Sequence, residues 1–242
     1  MRIIIKAFII SAVLLNIPAA ALQNLQPPDG MEHYIVGLLF RGDTFKNDPA
    51  VDQDELLEAH VRHLNRMEEK GFLVGAGPIT DDGNLRGILI FRMDSVEQAR
   101  QLAAADPALQ AGALKMELFP WWGPAGIGED YFSAKTENPD NVEMETYYFG
   151  LITRGDKWRP ERTAETDRIQ REHLANIRRL AEAGKLTAAG PFLHDGEYRG
   201  IFIFKSANLQ QADSLSKTDP AVKAGRLKVE LHPWWVAKGV LP

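Results

Sequence analysis

Cysteine is absent from this 242-residue chain. Its absence excludes disulfides, thiolate metal sites, a cysteine nucleophile and lipidation through sulfur. No His-Glu-x-x-His occurs, no glycine-rich phosphate loop follows a strand, and there is no Gly-x-Ser-x-Gly elbow. Zinc-protease chemistry, nucleotide-dependent hydride transfer, ATP chemistry and serine hydrolysis therefore lack their usual carriers. His60 and His63 have helical spacing for a metal, but the matching site in the second half holds His173 and Asn176. Neither a metal nor a cofactor is expected. Basic residues form no long run and the net charge is −5, which argues against a nucleic-acid partner. Also missing is an apolar stretch of the ~20 residues that span a bilayer.

A shorter apolar run stands at the start of the chain. Arg2 and Lys6 lead into apolar residues 7–17, and Pro18, Ala19, Ala20 and Ala21 close the run with small side chains. This pattern predicts a secretory signal over residues 1–21 and a periplasmic or secreted protein with no membrane contact after cleavage. An uncleaved anchor helix is the alternative.

The rest of the chain is written twice. At an offset of 113 residues, the separation of His60 from His173, the second half falls on the first. Tyr34 meets Tyr147, Arg41-Gly42-Asp43 meets Arg154-Gly155-Asp156, and Gly77-Pro78 meets Gly190-Pro191. Arg86-Gly87 meets Arg199-Gly200, Asp106-Pro107 meets Asp219-Pro220, and Pro120-Trp121-Trp122 meets Pro233-Trp234-Trp235. Stacked solenoid repeats run at ~20–50 residues, so this period means two whole domains. They are placed at 31–122 and 146–236, with a Gly-, Pro- and acid-rich linker at 123–145.

Within the first copy, residues 34–40 are an apolar run of strand length, and 41–52 are polar loop. Leu56, Leu57, Val61, Leu64 and Met67 recur at helical spacing until Gly71. Residues 72–76 and 85–93 read as strands around the turn Asp81-Asp82-Gly83-Asn84. A capped helix follows over 96–105, then a strand over 113–119 in which Leu114, Met116 and Leu118 alternate with Lys115 and Glu117. The order βαββαβ, twice, predicts an α+β fold of two tandem ferredoxin-like repeats. Each sheet has helices on one face only. Its other face needs cover, and the sheet of the other repeat is the natural one, giving an intramolecular dimeric α+β barrel.

His60 and His173 lie on the apolar stripes of equivalent helices. Each is either a core histidine held by a backbone acceptor or an acid–base group. Asp106 and Asp219 each precede proline, which suits an N-cap; the alternative is a carboxylate that orients the histidine. Gly77-Pro78 and Gly190-Pro191 are turns or rigid pocket walls. Arg41 and Arg154 are parts of salt-linked turns or receivers of an anionic substrate. Arg86 and Arg199 carry the same two readings. The tryptophan pairs suit a domain interface better than a ligand. Phe119 against His232, and His63 against Asn176, make the two copies' pockets different.

These residues resemble the YciI-like (YCII-related domain) family. The likeness rests on Ala59-His60-Val61-x-x-Leu64, Gly71, Ala76-Gly77-Pro78, Ala105-Asp106-Pro107 and Ala111-Gly112. In the second copy it rests on Glu172-His173-Leu174, Gly184, Ala189-Gly190-Pro191, Asp219-Pro220 and Ala224-Gly225. The resemblance implies a dimeric α+β barrel in which His60 with Asp106, and His173 with Asp219, form active-site dyads. It further implies lyase or dehalogenase-type chemistry on small cyclic compounds. The expected function is acid–base catalysis on a small organic substrate; a non-catalytic binding or structural module of the cell envelope is the alternative. A small-molecule ligand is the expected partner, and a homo-oligomer is compatible with the chain. The family's commoner form is a single cytoplasmic domain, whereas this chain is fused and carries an export pattern.

Overall fold

The computed structural model describes residues 26–44, 52–139 and 142–242. The signal reading over 1–21 lies outside them. No described helix is long and apolar enough to cross a membrane.

In the first repeat β1 (Met31–Arg41) leads to α1 (Gln53–Glu69), β2 (Leu73–Pro78) and β3 (Leu85–Phe91). Then come α2 (Val96–Ala103), the single turn α3 (Pro107–Gln110) and β4 (Leu114–Pro124). The second repeat gives β5 (Met144–Arg154), α5 (Ala164–Glu182), β6 (Leu186–Pro191), β7 (Tyr198–Phe204), α6 (Leu209–Ser216), α7 (Pro220–Lys223) and β8 (Leu227–Ala237). Between them the linker forms α4 (Glu129–Glu137). The two sheets run β2-β3-β1-β4 and β6-β7-β5-β8, antiparallel throughout. This is the expected pair of ferredoxin-like repeats.

Alternation along the strands sorts side chains between two layers. Tyr34, Val36 and Leu38 enter the core between the sheets, while Ile35 and Leu39 pack under the helices with Met67, Leu89 and Phe91. The inter-sheet core draws equally on the second repeat through Tyr147, Phe149, Leu151, Ile201 and Ile203. The sheets also meet edge to edge. Thr80 N donates to Pro233 O at 3.0 Å, and Leu193 N donates to Pro120 O at 2.8 Å. Bridges Ile79–Trp234 and Trp121–Phe192 sit at these two seams. Trp121 and Trp234 are fully buried there, and Trp234 Nε1 donates to Gly77 O at 3.1 Å. The first tryptophan of each pair does seal the interface, while Trp235 is exposed, and both pairs lie inside β4 and β8, whose strands run on past the residue-119 end read from the sequence.

Two further expectations change. On α1 the buried face is His60, His63 and Met67, while Leu57 and Val61 are exposed. The linker is not a bare tether. Gly128 N and Tyr131 N of α4 and its cap donate to Val240 O and Gly239 O, so the linker helix ties the first repeat to the C-terminal tail. Tyr131 OH and the Lys135 ammonium both bond Glu68 of α1.

Candidate functional site

Both histidines stand mid-helix on frames with strong starts. Asp52 caps α1, accepting from Asp54 N and Glu55 N at 3.0 and 3.1 Å. Thr163 and Thr166 form a reciprocal capping box on α5. These caps set the helical phase that turns His60 and His173 inward against the short helices α3 and α7.

There each histidine meets the aspartate. His60 Nδ1 lies 2.7 Å from Asp106 Oδ2, and His173 Nδ1 lies 2.8 Å from Asp219 Oδ2. The same aspartates are also caps. Asp106 Oδ1 accepts from Ala108 N at 2.9 Å; Asp219 Oδ1 accepts from Ala221 N at 2.8 Å and Val222 N at 3.3 Å. Cap and histidine partner, which the sequence poses as alternatives, are thus two oxygens of one carboxylate. The cap locks the carboxylate so that its second oxygen points at the ring. Both aspartates are buried, at 0% and 1% exposure. Burial pushes the Asp219 carboxyl up. The hydrogen bond and charge of His173, with the two backbone N–H donors, outweigh it and hold the group below its ordinary value. With Nδ1 engaged, Nε2 is the nitrogen each ring has left for chemistry.

A cavity of about 1060 Å³ opens along α5 and β6, and His173 lines it. Its walls include Ile169, Ile177, Leu186, Ala188 and Phe202, whose ring centroid lies 6.0 Å from that of His173. Gly190 and Pro191 line the same cavity. Gly190 also answers to the seam, because a Cβ there would sit 1.8 Å from Trp122 O. Gly77 is under the same constraint, 2.1 Å from Trp235 O, and Pro78 beside it is exposed.

The arginines take up the predicted turn contacts with different partners. Arg41 Nη2 donates to Asp82 O at 2.7 Å, and Arg154 Nη2 bonds Asp195 Oδ1 at 2.5 Å. The neighbouring aspartates pair instead with lysines of the last strand of each repeat, Asp43 with Lys115 and Asp156 with Lys228, both at 2.8 Å. Arg86 and Arg199 hold the turns that precede β3 and β7 through carbonyl oxygens. Sequence reading missed a third polar pair. His232 Nδ1 lies 2.8 Å from Asp81 Oδ2 across the repeats, in the place where the other seam has Phe119 stacked 4.8 Å from Phe192. Position 232 against position 119 gives the only hint of it in the chain itself. His63 Nε2 bonds Leu102 O at 3.2 Å, and burial lowers its pKa from the ordinary value. Among the described residues no group of three or more His, Asp or Glu side chains is placed to hold a metal ion.

The sequence model of the YCII-related domain matches residues 44–122 and 152–235. No curated protein matches the chain. Among solved structures, a mutant chlorite dismutase from Candidatus Nitrospira defluvii is similar with a TM-score of 0.54 and 11% identity, over 90% of this chain and 94% of that one. A heme-binding protein from Thermus thermophilus is similar with a TM-score of 0.50 and 14% identity, over 88% of this chain and 94% of that one. At these identities the likeness is one of fold: the dimeric α+β barrel recurs across nearly the full length of each.

Proposed function

The chain belongs to the YCII-related domain family, and on that premise we propose that it is an exported enzyme performing acid–base chemistry on a small organic substrate. One observation carries the reading: His173 stands in the wall of a substrate-sized cavity with its Nδ1 2.8 Å from a buried carboxylate. In this reading His173 Nδ1–H donates to Asp219, which keeps the lone pair of Nε2 available. Nε2 takes a proton from the substrate and returns it to the leaving or receiving atom. Asp219 orients the ring and stabilises its charged form. His60 with Asp106 has the same geometry and is assigned the same role in the first repeat. Export rests on the residue pattern over 1–21.

The test is turnover of a panel of small hydroxylated and chlorinated cyclic compounds, followed by product analysis. The His60→Ala/His173→Ala double variant should lose turnover while remaining folded, at a lowered melting temperature because each buried carboxylate loses its histidine partner. A double variant that still turns substrate over rules the reading out.

A second reading is binding without turnover, favoured by the cavity's size, just above the ~300–1,000 Å³ usual for ligand sites. Heme, named for the Thermus protein, is the ligand to try first. His173 Nε2 is an imidazole nitrogen of the kind that ligates its iron. A Soret shift on adding hemin that vanishes in His173→Ala would support this reading. An unchanged spectrum removes heme from it.

A further inference from the structure

Beyond the dyad, the same cavity is lined in part by a cluster of cations whose own hydrogen bonds include few to carboxylates. Trp158 and Arg199 line the cavity, as does Arg226. Three guanidinium groups gather on the Trp158 ring: Arg154 at 5.4 Å from its centroid, and Arg199 and Arg226 each at 5.2 Å. Like charges do not gather without compensation, and here little is supplied. Arg226 Nη2 donates to a carbonyl, Arg159 O, at 2.9 Å. Arg199 Nη1 has only 3.4 Å contacts, to His194 O, Gly196 O and Asp195 Oδ1. Among the described residues Asp195, whose side chain is 70% exposed, is the one carboxylate paired with the cluster, and Arg199 shares it with Arg154. Arg154 Nε is buried with no hydrogen-bond partner, a donor left waiting. Burial, then the charge of Arg154, lowers the Arg199 guanidinium from its ordinary value, the mark of a cation short of its counter-ion.

We infer that this cluster receives the carboxylate of an organic acid whose apolar body lies along the cavity toward His173. The inference rests on the reading of that cavity as the working site. A guanidinium presents paired N–H donors that match the two oxygens of a carboxylate. The walls beyond it, Phe202 with Ile169 and Ile177, are apolar and suit a hydrocarbon or aromatic body. The cluster belongs to the second repeat. At the offset of 113, Ala113 stands where Arg226 does and Phe45 where Trp158 does, so the two repeats do not share this specificity.

Isothermal titration of the full chain with benzoate, its neutral isostere benzamide, and phenyl phosphate tests this. Benzoate should bind, and benzamide should bind at least about tenfold more weakly, as loss of a charge-assisted hydrogen bond implies. Arg226→Gln should cost benzoate about tenfold. It is the main variant because Arg199→Gln also removes support from the turn before β7. Equal binding of benzoate and benzamide, no benzoate binding at millimolar concentration, or an unchanged Arg226→Gln each overturns the inference. Tighter binding of phenyl phosphate overturns the carboxylate assignment. Arg226-dependent benzoate binding without any His173-dependent turnover would leave this site standing and remove the acid–base reading; the converse result would do the reverse.

Discussion

Gly77→Ala isolates the contact that makes two repeats into one body. Gly77 does not have a positive φ, so alanine meets no backbone strain at this strand position. On strand propensity alone the change would stabilise by about 0.5–1 kcal/mol. The obstacle is across the seam. The new Cβ would lie 2.1 Å from Trp235 O and 2.9 Å from Trp234 Nε1. A carbon and a carbonyl oxygen rest at about 3.3 Å or more, so β8 must retreat by about an ångström. That retreat strains the 3.1 Å bond from Trp234 Nε1 to Gly77 O and the neighbouring bond from Thr80 N to Pro233 O. Overpacking of this kind costs about 1–3 kcal/mol, and a weakened buried hydrogen bond about 1 kcal/mol more. Net destabilisation is about 2–3 kcal/mol, or roughly 4–12 °C in melting temperature for a chain of this size. Scanning calorimetry of wild type and variant reads it directly. A melting temperature within about 1 °C of wild type would show that the seam does not close as described.

Acid should destabilise the protein in two stages. His63 and His194 have pKa values lowered chiefly by burial, so the unfolded chain binds protons more tightly than the fold does. Stability is full above the unfolded value of about 6.5 and falls as pH drops from there toward the lowered folded values. Asp219, held below its ordinary value, adds stability that is lost only at lower pH, as the carboxyl protonates. Urea midpoints measured from pH 8 to 3 should decline from below pH 7, and a midpoint flat down to pH 4 would contradict the histidine assignment. Tyr34→Phe and Tyr147→Phe should each cost about 1 kcal/mol, because these phenols donate to Glu32 at 2.7 Å and Glu145 at 2.5 Å. Burial and those carboxylates hold both phenols well above their ordinary range, so an alkaline absorbance titration should show them ionising last among the tyrosines.

The architecture was legible because it is written twice. One offset aligns both copies, and turn signals such as Gly71 and Asp81-Asp82-Gly83-Asn84 separate strands whose alternation the structure keeps. Burial on α1 was less legible. Leu57 and Val61 satisfy helical spacing but face solvent, and two histidines take the buried face because each finds a polar partner there. The ends of β4 and β8 were less legible, because the clear alternation of Leu114, Met116 and Leu118 does not continue through Pro120 and the tryptophans. Both prolines lie within their strands, and each offers its carbonyl to the neighbouring sheet. The dyad could be named from the family likeness but not located from spacing. Its two members are 46 residues apart, and the Asp-Pro pair already had a sufficient account as a cap. The arginine cluster was legible only in part: Arg154 and Arg199 could be read as receivers of an anion, but nothing pointed to Arg226 or to Trp158 as their meeting point. Trp158 and Arg226 have no counterpart in the first copy, so a comparison of the repeats passes over them.

In the proposed acid–base role Asp219 holds the His173 ring with Nδ1 protonated and Nε2 free. Nitrogen-15 NMR of the neutral histidine reports the tautomer, in wild type and in Asp219→Asn, which keeps a capping oxygen for Ala221 and Val222. The Nδ1–H tautomer is expected in the wild type, with a redistribution toward Nε2–H in the variant. A wild-type His173 in the Nε2–H form, or a tautomer indifferent to residue 219, would contradict it.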